Sequence, residues 1–361
     1  MKKAFSLILI LCIVALFCLS SCAKKDNNDI ASSSSNISYK ESSSGISKTE
    51  DSGEFTFAFD PYVLPLEVKY ALEDTTYYNK FVNAVLEAKE SVALPSREYY
   101  DIIRFAIGEN FPFSALISNC KYDSANNRVL ISYEYSKTHS EKIGEFKKAV
   151  QEIFNTCVKN TDDDTIAAIS LYSYLSQNID IKGDNTASVK EPDDTVSSEI
   201  SSNEQDDSQN DNAEVKADIY NTLMEKKGTA SSVASLYNFL LMQLGIECKT
   251  VSSWNAKSYK TWNMIKLDSK WYHCDIASEQ NETEGEGLKY FGMTEQKVTE
   301  NTGFKEIYTG QASWFTDKLP KSNSNRFKDF SNIVSWEINT NRDGLVAYSE
   351  EFSRFSWNIR D

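Results

Sequence analysis

The pattern of apolar and polar residues is clearest between residues 228 and 275. Apolar residues there recur first at steps of three and four, the period of a helix with a buried face: Val233, Tyr237, Leu240, Leu241 and Leu244. Gly245 follows at a position where helices commonly end. Residues 248–254, 262–267 and 271–275 are rich in aromatic and β-branched residues, which predicts three strands. The pattern therefore predicts a helix packed on an antiparallel sheet.

The flanking patterns extend this prediction in both directions. Residues 55–59 alternate like a strand, residues 115–122 and 128–135 are typical of a hairpin, and residues 77–89, 97–107 and 141–158 have helical spacing. We interpret residues 54–160 as an N-terminal α/β region. A further helix is expected to begin at Asp163. Residues 306–361, with Pro320 as a breaker, are expected to pack on the core as strands and loops. The predicted fold class is α+β.

The N-terminus has the order of an export signal. Lys2 and Lys3 precede an apolar run, which ends in Leu-Ser-Ser-Cys at Cys22. The run is short for a membrane span, so residues 1–21 are expected to be a signal peptide. The ending resembles a bacterial lipoprotein signal, which implies lipid attachment at Cys22 and a membrane-anchored, extracytoplasmic protein. An ordinary cleaved signal with a chance cysteine is the alternative. Residues 22–53 are polar and are interpreted as a flexible tether.

Charge and cysteine content exclude some classes of function. The formal net charge is −15, which argues against nucleic acid as a partner. Residues 183–214 are acidic and of low complexity, and are expected to form a disordered insert. Beyond Cys22 the chain has four cysteines, for which both disulfides and free thiols stay open: Cys120, Cys157, Cys248 and Cys274. With only two histidines, a zinc centre is not expected, and neither a metal nor a cofactor is predicted.

The layout of residues 228–275 resembles the transglutaminase-like superfamily, whose core has a papain-like fold. That family carries Gly-x-Cys at the start of a helix, His-Ala-Trp-Asn on one strand and Trp-Tyr-x-x-Asp on another, and its Cys, His and Asp form a catalytic triad. Here the three motifs read Gly-Thr-Ala from Gly228, Lys-Thr-Trp-Asn from Lys260 and Trp-Tyr-His-Cys-Asp from Trp271. The resemblance implies a transglutaminase-like domain over residues 161–305, interrupted by the acidic insert.

The same resemblance implies that the triad is degenerate. Its Cys position falls on Ala230, its His position on Lys260, and the Asp is kept as Asp275. A thiol at a helix N-terminus is activated by the macrodipole and by a histidine base. A methyl group cannot attack a carbonyl, and a lysine is protonated at neutral pH. Catalysis is therefore not expected, and we predict that Lys260 forms an ion pair with Asp275.

Three functions remain open at this point. The first is an inactive domain that binds a peptide or a cell-envelope protein or polymer. Its groove would involve Ser231, Trp262, Asn263 and Asp275. The second is an enzyme with relocated chemistry, in which Ser231 or Ser232 acts with His273. The third is a structural envelope protein with a filled groove.

Overall fold

The computed structural model describes residues 57–72, 74–182, 218–255, 258–302, 307–309, 319–351 and 353–359. These residues all belong to one compact unit, Ser43–Asp361. The predicted signal peptide, Cys22, the predicted tether and the predicted disordered insert 183–214 lie outside the described residues. Within the described residues, no helix is both long enough and apolar enough to cross a bilayer.

The helices follow the spacing of apolar residues closely. They span Leu66–Ala71, Thr76–Leu86, Arg97–Glu109, His139–Cys157, Asp164–Asn178, Ile219–Glu225, Ala230–Gln243, Ile276–Thr283 and Glu295–Thr302, with 3-10 turns at Ser114–Leu116 and Lys328–Asn332. Asp163 caps its helix as predicted, because its carboxylate accepts from the amides of Thr165 and Ile166. Helix Ala230–Gln243, the central helix, is almost entirely buried. Gly245 follows it with φ 75°, a conformation that glycine adopts without strain.

Among the described residues, four sheets accompany the helices. The central sheet has the spatial order Lys270–Cys274, Ser258–Leu267, Cys248–Asn255 and Tyr308–Thr309, and all of its pairs are antiparallel. The N-terminal sheet has the order Ser91–Ala93, Arg128–Tyr133 and Ile117–Asp123; the C-terminal sheet has Ile333–Ile338, Gly344–Ser349 and Arg354–Asn358. A short parallel pair joins Asp180–Ile181 to Lys227–Gly228. The predicted α+β class is confirmed.

The N-terminal region packs directly on the central helix. The Phe59 ring lies 6.0 Å from that of Phe239 on this helix and 6.3 Å from that of Phe146. Gln243 exchanges two hydrogen bonds with the backbone of Asp60, at 2.9 and 2.7 Å. One hydrophobic cluster consequently runs from Val68 in this region to the last strand of the chain.

The strand predicted at residues 55–59 is not present in the described part of that range. Residues 57–60 have no regular secondary structure. Phe57 and Phe59 instead insert their rings between helices; that of Phe57 stacks 4.3 Å from Phe154. The alternation of apolar residues was a correct sign of burial, but the neighbours are helices that offer no backbone hydrogen bonds to a strand.

The C-terminal sheet is fixed to the core by aromatic rings and by one ion pair. The ring centroids of Phe330 and Trp357 lie 5.1 Å apart, and those of Phe327 and Phe291 lie 5.5 Å apart. Arg342, in a hairpin turn, donates to both oxygens of Asp162 at 2.5 and 2.8 Å. Such a bidentate pair fixes orientation as well as distance, and it holds the turn against the loop before helix Asp164–Asn178.

Candidate functional site

The central helix begins at Ala230, and its first turn is a closed capping box. The Oγ1 of Thr229 accepts from the Ser232 amide at 3.2 Å, and the Oγ of Ser232 accepts from the Thr229 amide at 2.9 Å. Thr222 adds a hydroxyl contact of 2.8 Å to Ser232. The Ser232 hydroxyl is therefore part of the helix cap. Ser231 is partly exposed beside it, while the methyl group of Ala230 is buried and has neither an acidic proton nor a lone pair.

The strand Ser258–Leu267 presents alternate residues to the two faces of the central sheet. Asn263 faces the central helix and donates through Nδ2 to the Ala234 carbonyl at 2.8 Å. Lys260 and Trp262 point to the other face. Trp262 packs there in a small apolar cluster with Val251, Met264, Tyr290, Met293 and Val298. Asn263 thus links the strand that carries Lys260 to the helix that begins at Ala230.

Lys260 and Asp275 meet as a nearly buried ion pair. The Lys260 Nζ lies 2.6 Å from Asp275 Oδ2, and the two side chains are 15% and 3% exposed. Asp275 lies just after strand Lys270–Cys274 and caps the next helix, since its Oδ1 accepts from the Ser278 amide at 3.0 Å. The Lys260 Nζ also donates to the Ser278 hydroxyl. The predicted ion pair is confirmed, and Ser278 is a third member that the sequence patterns did not indicate.

A second carboxylate lies one turn beyond Asp275. Glu279 is fully buried and accepts from the Tyr172 hydroxyl at 2.9 Å, the Tyr290 amide at 2.7 Å and the Thr283 hydroxyl at 2.8 Å. Burial raises the pKa of the Glu279 carboxyl despite these hydrogen bonds. The Tyr172 hydroxyl also lies 3.2 Å from the Asp275 carbonyl oxygen. Glu279 therefore ties the helix after Asp275 to the loop around residue 290.

His273 lies in an apolar environment that suppresses its basicity. Its Nδ1 accepts from Trp262 Nε1 at 3.0 Å, and its ring is 1% exposed. Burial lowers the pKa of His273 to about 3. Its backbone pairs with Met293 in both directions at 2.9 Å. The Nδ1 lone pair, with which His273 could act as a base, therefore already accepts a hydrogen bond from the Trp262 indole N–H.

The structure gives most of the predicted groove residues other roles. Trp262, Asn263 and Asp275 are each 1–2% exposed. Their polar atoms bind His273, the central helix and Lys260 respectively. The groove itself stays a prediction; among its four predicted residues only Ser231 is partly exposed.

The described cysteines are thiols rather than disulfides. Cys120, Cys157, Cys248 and Cys274 are all free, and the last three are buried. Burial raises the pKa of the Cys157 thiol to about 12 and that of Cys274 well above its ordinary value. Both thiols therefore stay protonated and unreactive at neutral pH. No group of three or more His, Cys, Asp or Glu in the described part of the chain could hold a metal ion.

Comparison with known proteins agrees with this architecture. Residues 184–276 match the family model of the transglutaminase-like superfamily. The chain contains a transglutaminase-like domain. The match covers about a quarter of the chain and ends one residue after Asp275. Lys260 and Asp275, as well as the central helix, therefore all lie within the matched part of the transglutaminase-like domain.

Similarity to solved structures is remote. A protein from Cytophaga hutchinsonii, named as a candidate cysteine protease, is 9% identical with a TM-score of 0.24, and the alignment covers 49% of this chain and 55% of that one. A TGase is also 9% identical with a TM-score of 0.24, and the alignment covers 52% of this chain and 48% of that one. The chain thus spans about half the length of the structures it matches. A search of the curated proteins found no match.

Proposed function

We propose that this protein is a membrane-anchored, extracytoplasmic lipoprotein whose transglutaminase-like domain is catalytically inactive and binds a peptide, an envelope protein or an envelope polymer. The observation that supports inactivity is the ion pair of Lys260 with Asp275. In the family resemblance these positions belong to the histidine and the aspartate of the triad. Ala230 occupies the position of the thiol.

The contacts of Lys260 argue against a base at this place. The Lys260 ammonium group lies 2.6 Å from the Asp275 carboxylate and also donates to the Ser278 hydroxyl. A protonated lysine has no lone pair with which to accept the proton of a nucleophile. Ser278 receives a hydrogen bond from Lys260, but for the same reason Lys260 does not activate it. The retained Asp275 then serves the ion pair and the helix cap instead of a histidine.

The alternative, an enzyme with relocated catalytic residues, is less well supported by the contacts of Ser232 and His273. Ser232 is held in the capping box and His273 is held by Trp262. A serine nucleophile needs a base within hydrogen-bonding reach, and both groups have other partners. Ser231 remains partly exposed, so it is the residue that an activity test should target first.

The burial at the former triad positions favours one further candidate, a structural envelope protein with a filled groove. Lys260 and Asp275 are 15% and 3% exposed, which leaves little surface for a ligand at these two residues. A binding function must therefore use another concave surface of the domain.

An activity assay tests the proposal. The purified chain is incubated with labelled amines, glutamine peptides and envelope peptides, and no turnover is expected. Turnover that a thiol reagent abolishes would show that the assignment of Ala230 to the nucleophile position is wrong. Turnover that is lost with Ser231→Ala or Ser232→Ala would support the relocated enzyme.

The location is tested separately by mass spectrometry of the mature N-terminus. We expect residues 1–21 to be absent and Cys22 to carry lipid, because the N-terminal order resembles a lipoprotein signal. Several acyl chains on one residue would give stable membrane anchoring. An unmodified Cys22, or cleavage at another residue, would refute the anchor without affecting the conclusion about catalysis.

A further inference from the structure

A lysine-lined pocket lies beside the former triad site. Its cavity is about 180 Å³ in volume and is bounded by the loop 289–294, helix Glu295–Thr302 and residues 324–331. A cavity of about 150 Å³ holds a benzene molecule, so this pocket has room for a group the size of one amino-acid side chain.

The pocket is positive although the chain as a whole is acidic. Its lining contains Lys289, Lys297 and Lys328 against one acid, Glu300, whereas the chain carries a net charge of −15. Lys289 is neutralised by Glu282 at 2.6 Å, while Lys297 lies 3.9 Å from Glu300. Lys328 is exposed and has no acidic partner among the described residues. Lys297 and Lys328 are thus the cations that an anionic ligand would meet.

The floor of the pocket is apolar and held in place. Phe291, Met293 and Phe327 supply it. Gly292 has φ 74°, and a Cβ at this position would lie 2.5 Å from atoms of Phe327, so only glycine lets the ring pack here. The Met293 backbone is paired with strand Lys270–Cys274, and its carbonyl also accepts from the Ser322 hydroxyl at 3.0 Å. The cavity is therefore formed before any ligand arrives, which lowers the cost of binding.

The loop that bounds the pocket also reaches the former triad site, because the Asp275 amide donates to the Tyr290 carbonyl at 3.0 Å. Hydrogen bonds from Lys289 and Tyr290, with the charges of Lys289 and Lys260, lower the pKa of the Glu282 carboxyl. Glu282 itself pairs with Lys289 of the pocket lining at 2.6 Å.

We propose that this pocket binds the C-terminal residue of a peptide, with its carboxylate at Lys297 and Lys328 and an apolar side chain on the phenylalanine and methionine floor. The proposal deepens the binding function proposed above and rests on it. Two cations beside an apolar floor fit a carboxylate that is attached to an apolar group. An inorganic anion would use the cations but leave the floor in contact with water, without the gain from apolar burial.

The test is a calorimetric titration of the full chain with N-acetyl-leucine, N-acetyl-leucine amide and inorganic phosphate. We expect N-acetyl-leucine to bind, and the amide and phosphate to bind at least tenfold more weakly. Lys297→Gln with Lys328→Gln should raise the Kd for N-acetyl-leucine at least tenfold. The matched control is Lys148→Gln with Lys321→Gln, which removes the same charge from exposed lysines outside the pocket and should leave the Kd within twofold.

Thermal melting of both double variants should match that of the parent chain, because the replaced lysines are not in the apolar core. Equal binding of the amide, preference for phosphate, or equal loss in both double variants would overturn the proposal. These results can be separated from failure of the proposed function. Envelope peptides that bind equally to the parent and to the Lys297/Lys328 variant would support peptide binding and exclude this pocket.

Discussion

The ion pair of Lys260 and Asp275 gives the sharpest prediction about stability. Removal of one partner of a buried pair costs about 3–5 kcal/mol, because the other charge is left without compensation. In the parent chain the Asp275 side chain is 3% exposed, so Lys260→Met leaves its buried carboxylate with the Ser278 amide as a donor. We expect a loss of about 3 kcal/mol in the free energy of unfolding, the lower end of that range, since the pair is not wholly buried.

The partner substitution has two effects that the structure allows us to separate. Asp275→Leu removes the ion pair and also the cap of helix Ile276–Thr283, which alone is worth about 0.5–2 kcal/mol. Asp275→Asn removes the charge but keeps a side-chain oxygen for the Ser278 amide. The cap contribution is present in every background that carries Asp275→Leu, so it cancels when the coupling energy is calculated.

The assay is a double-mutant cycle measured by urea unfolding. The parent, Lys260→Met, Asp275→Leu and the double variant should give a coupling energy of about 2–3 kcal/mol, because the double variant leaves no charge stranded. The matched control is the pair of Lys148 with Glu152, which lies at 3.8 Å with side chains 79% and 67% exposed. Its coupling should be about 0.3–0.5 kcal/mol. Single effects at Lys260 and Asp275 that add within about 0.5 kcal/mol would refute the ion-pair argument.

Three further predictions concern pH and the insert. His273 is neutral in the folded chain, because burial lowers its pKa from 6.5 to about 3. The free energy of unfolding should therefore fall by about 1.4 kcal/mol per pH unit as the pH drops below 6.5. Urea titrations of His273→Gln should lack this slope. Burial raises the pKa of Glu279, so ionisation of this carboxyl costs stability as the pH rises above 4.5, the ordinary pKa of a glutamate. Glu279→Gln should therefore melt at a higher temperature than the parent at pH 8 but not at pH 4. An unchanged pH profile in either variant would contradict the assigned burial. Replacement of residues 183–214 by a short Gly-Ser linker should leave the melting temperature within a few degrees, because loop entropy changes by only about 0.6 kcal/mol per doubling of length; loss of cooperative melting would show that the insert packs on the core.

Much of the fold could be predicted from the sequence alone, because the features concerned are local. The spacing of apolar residues indicated the central helix and the strands of the central sheet. Gly245 and Asp163 indicated where helices end and begin, since each acts through its own backbone conformation or its side chain. The positions Ala230, Lys260 and Asp275 could be aligned with a triad because their spacing to fixed motif residues is also a property of the chain.

Only the tertiary structure decided what these residues do. Burial of Trp262, Asn263 and Asp275 depends on what packs over the sheet, and strand alternation cannot tell a groove wall from a filled core. Ser278 and Glu279 join the site through a helix cap and a buried hydrogen-bond set, although Asp275 followed three residues later by serine could have suggested the cap. The lysine-lined pocket brings Lys289, Lys297 and Lys328 together from three separate segments. Such long-range proximity is set by packing, which no local pattern records.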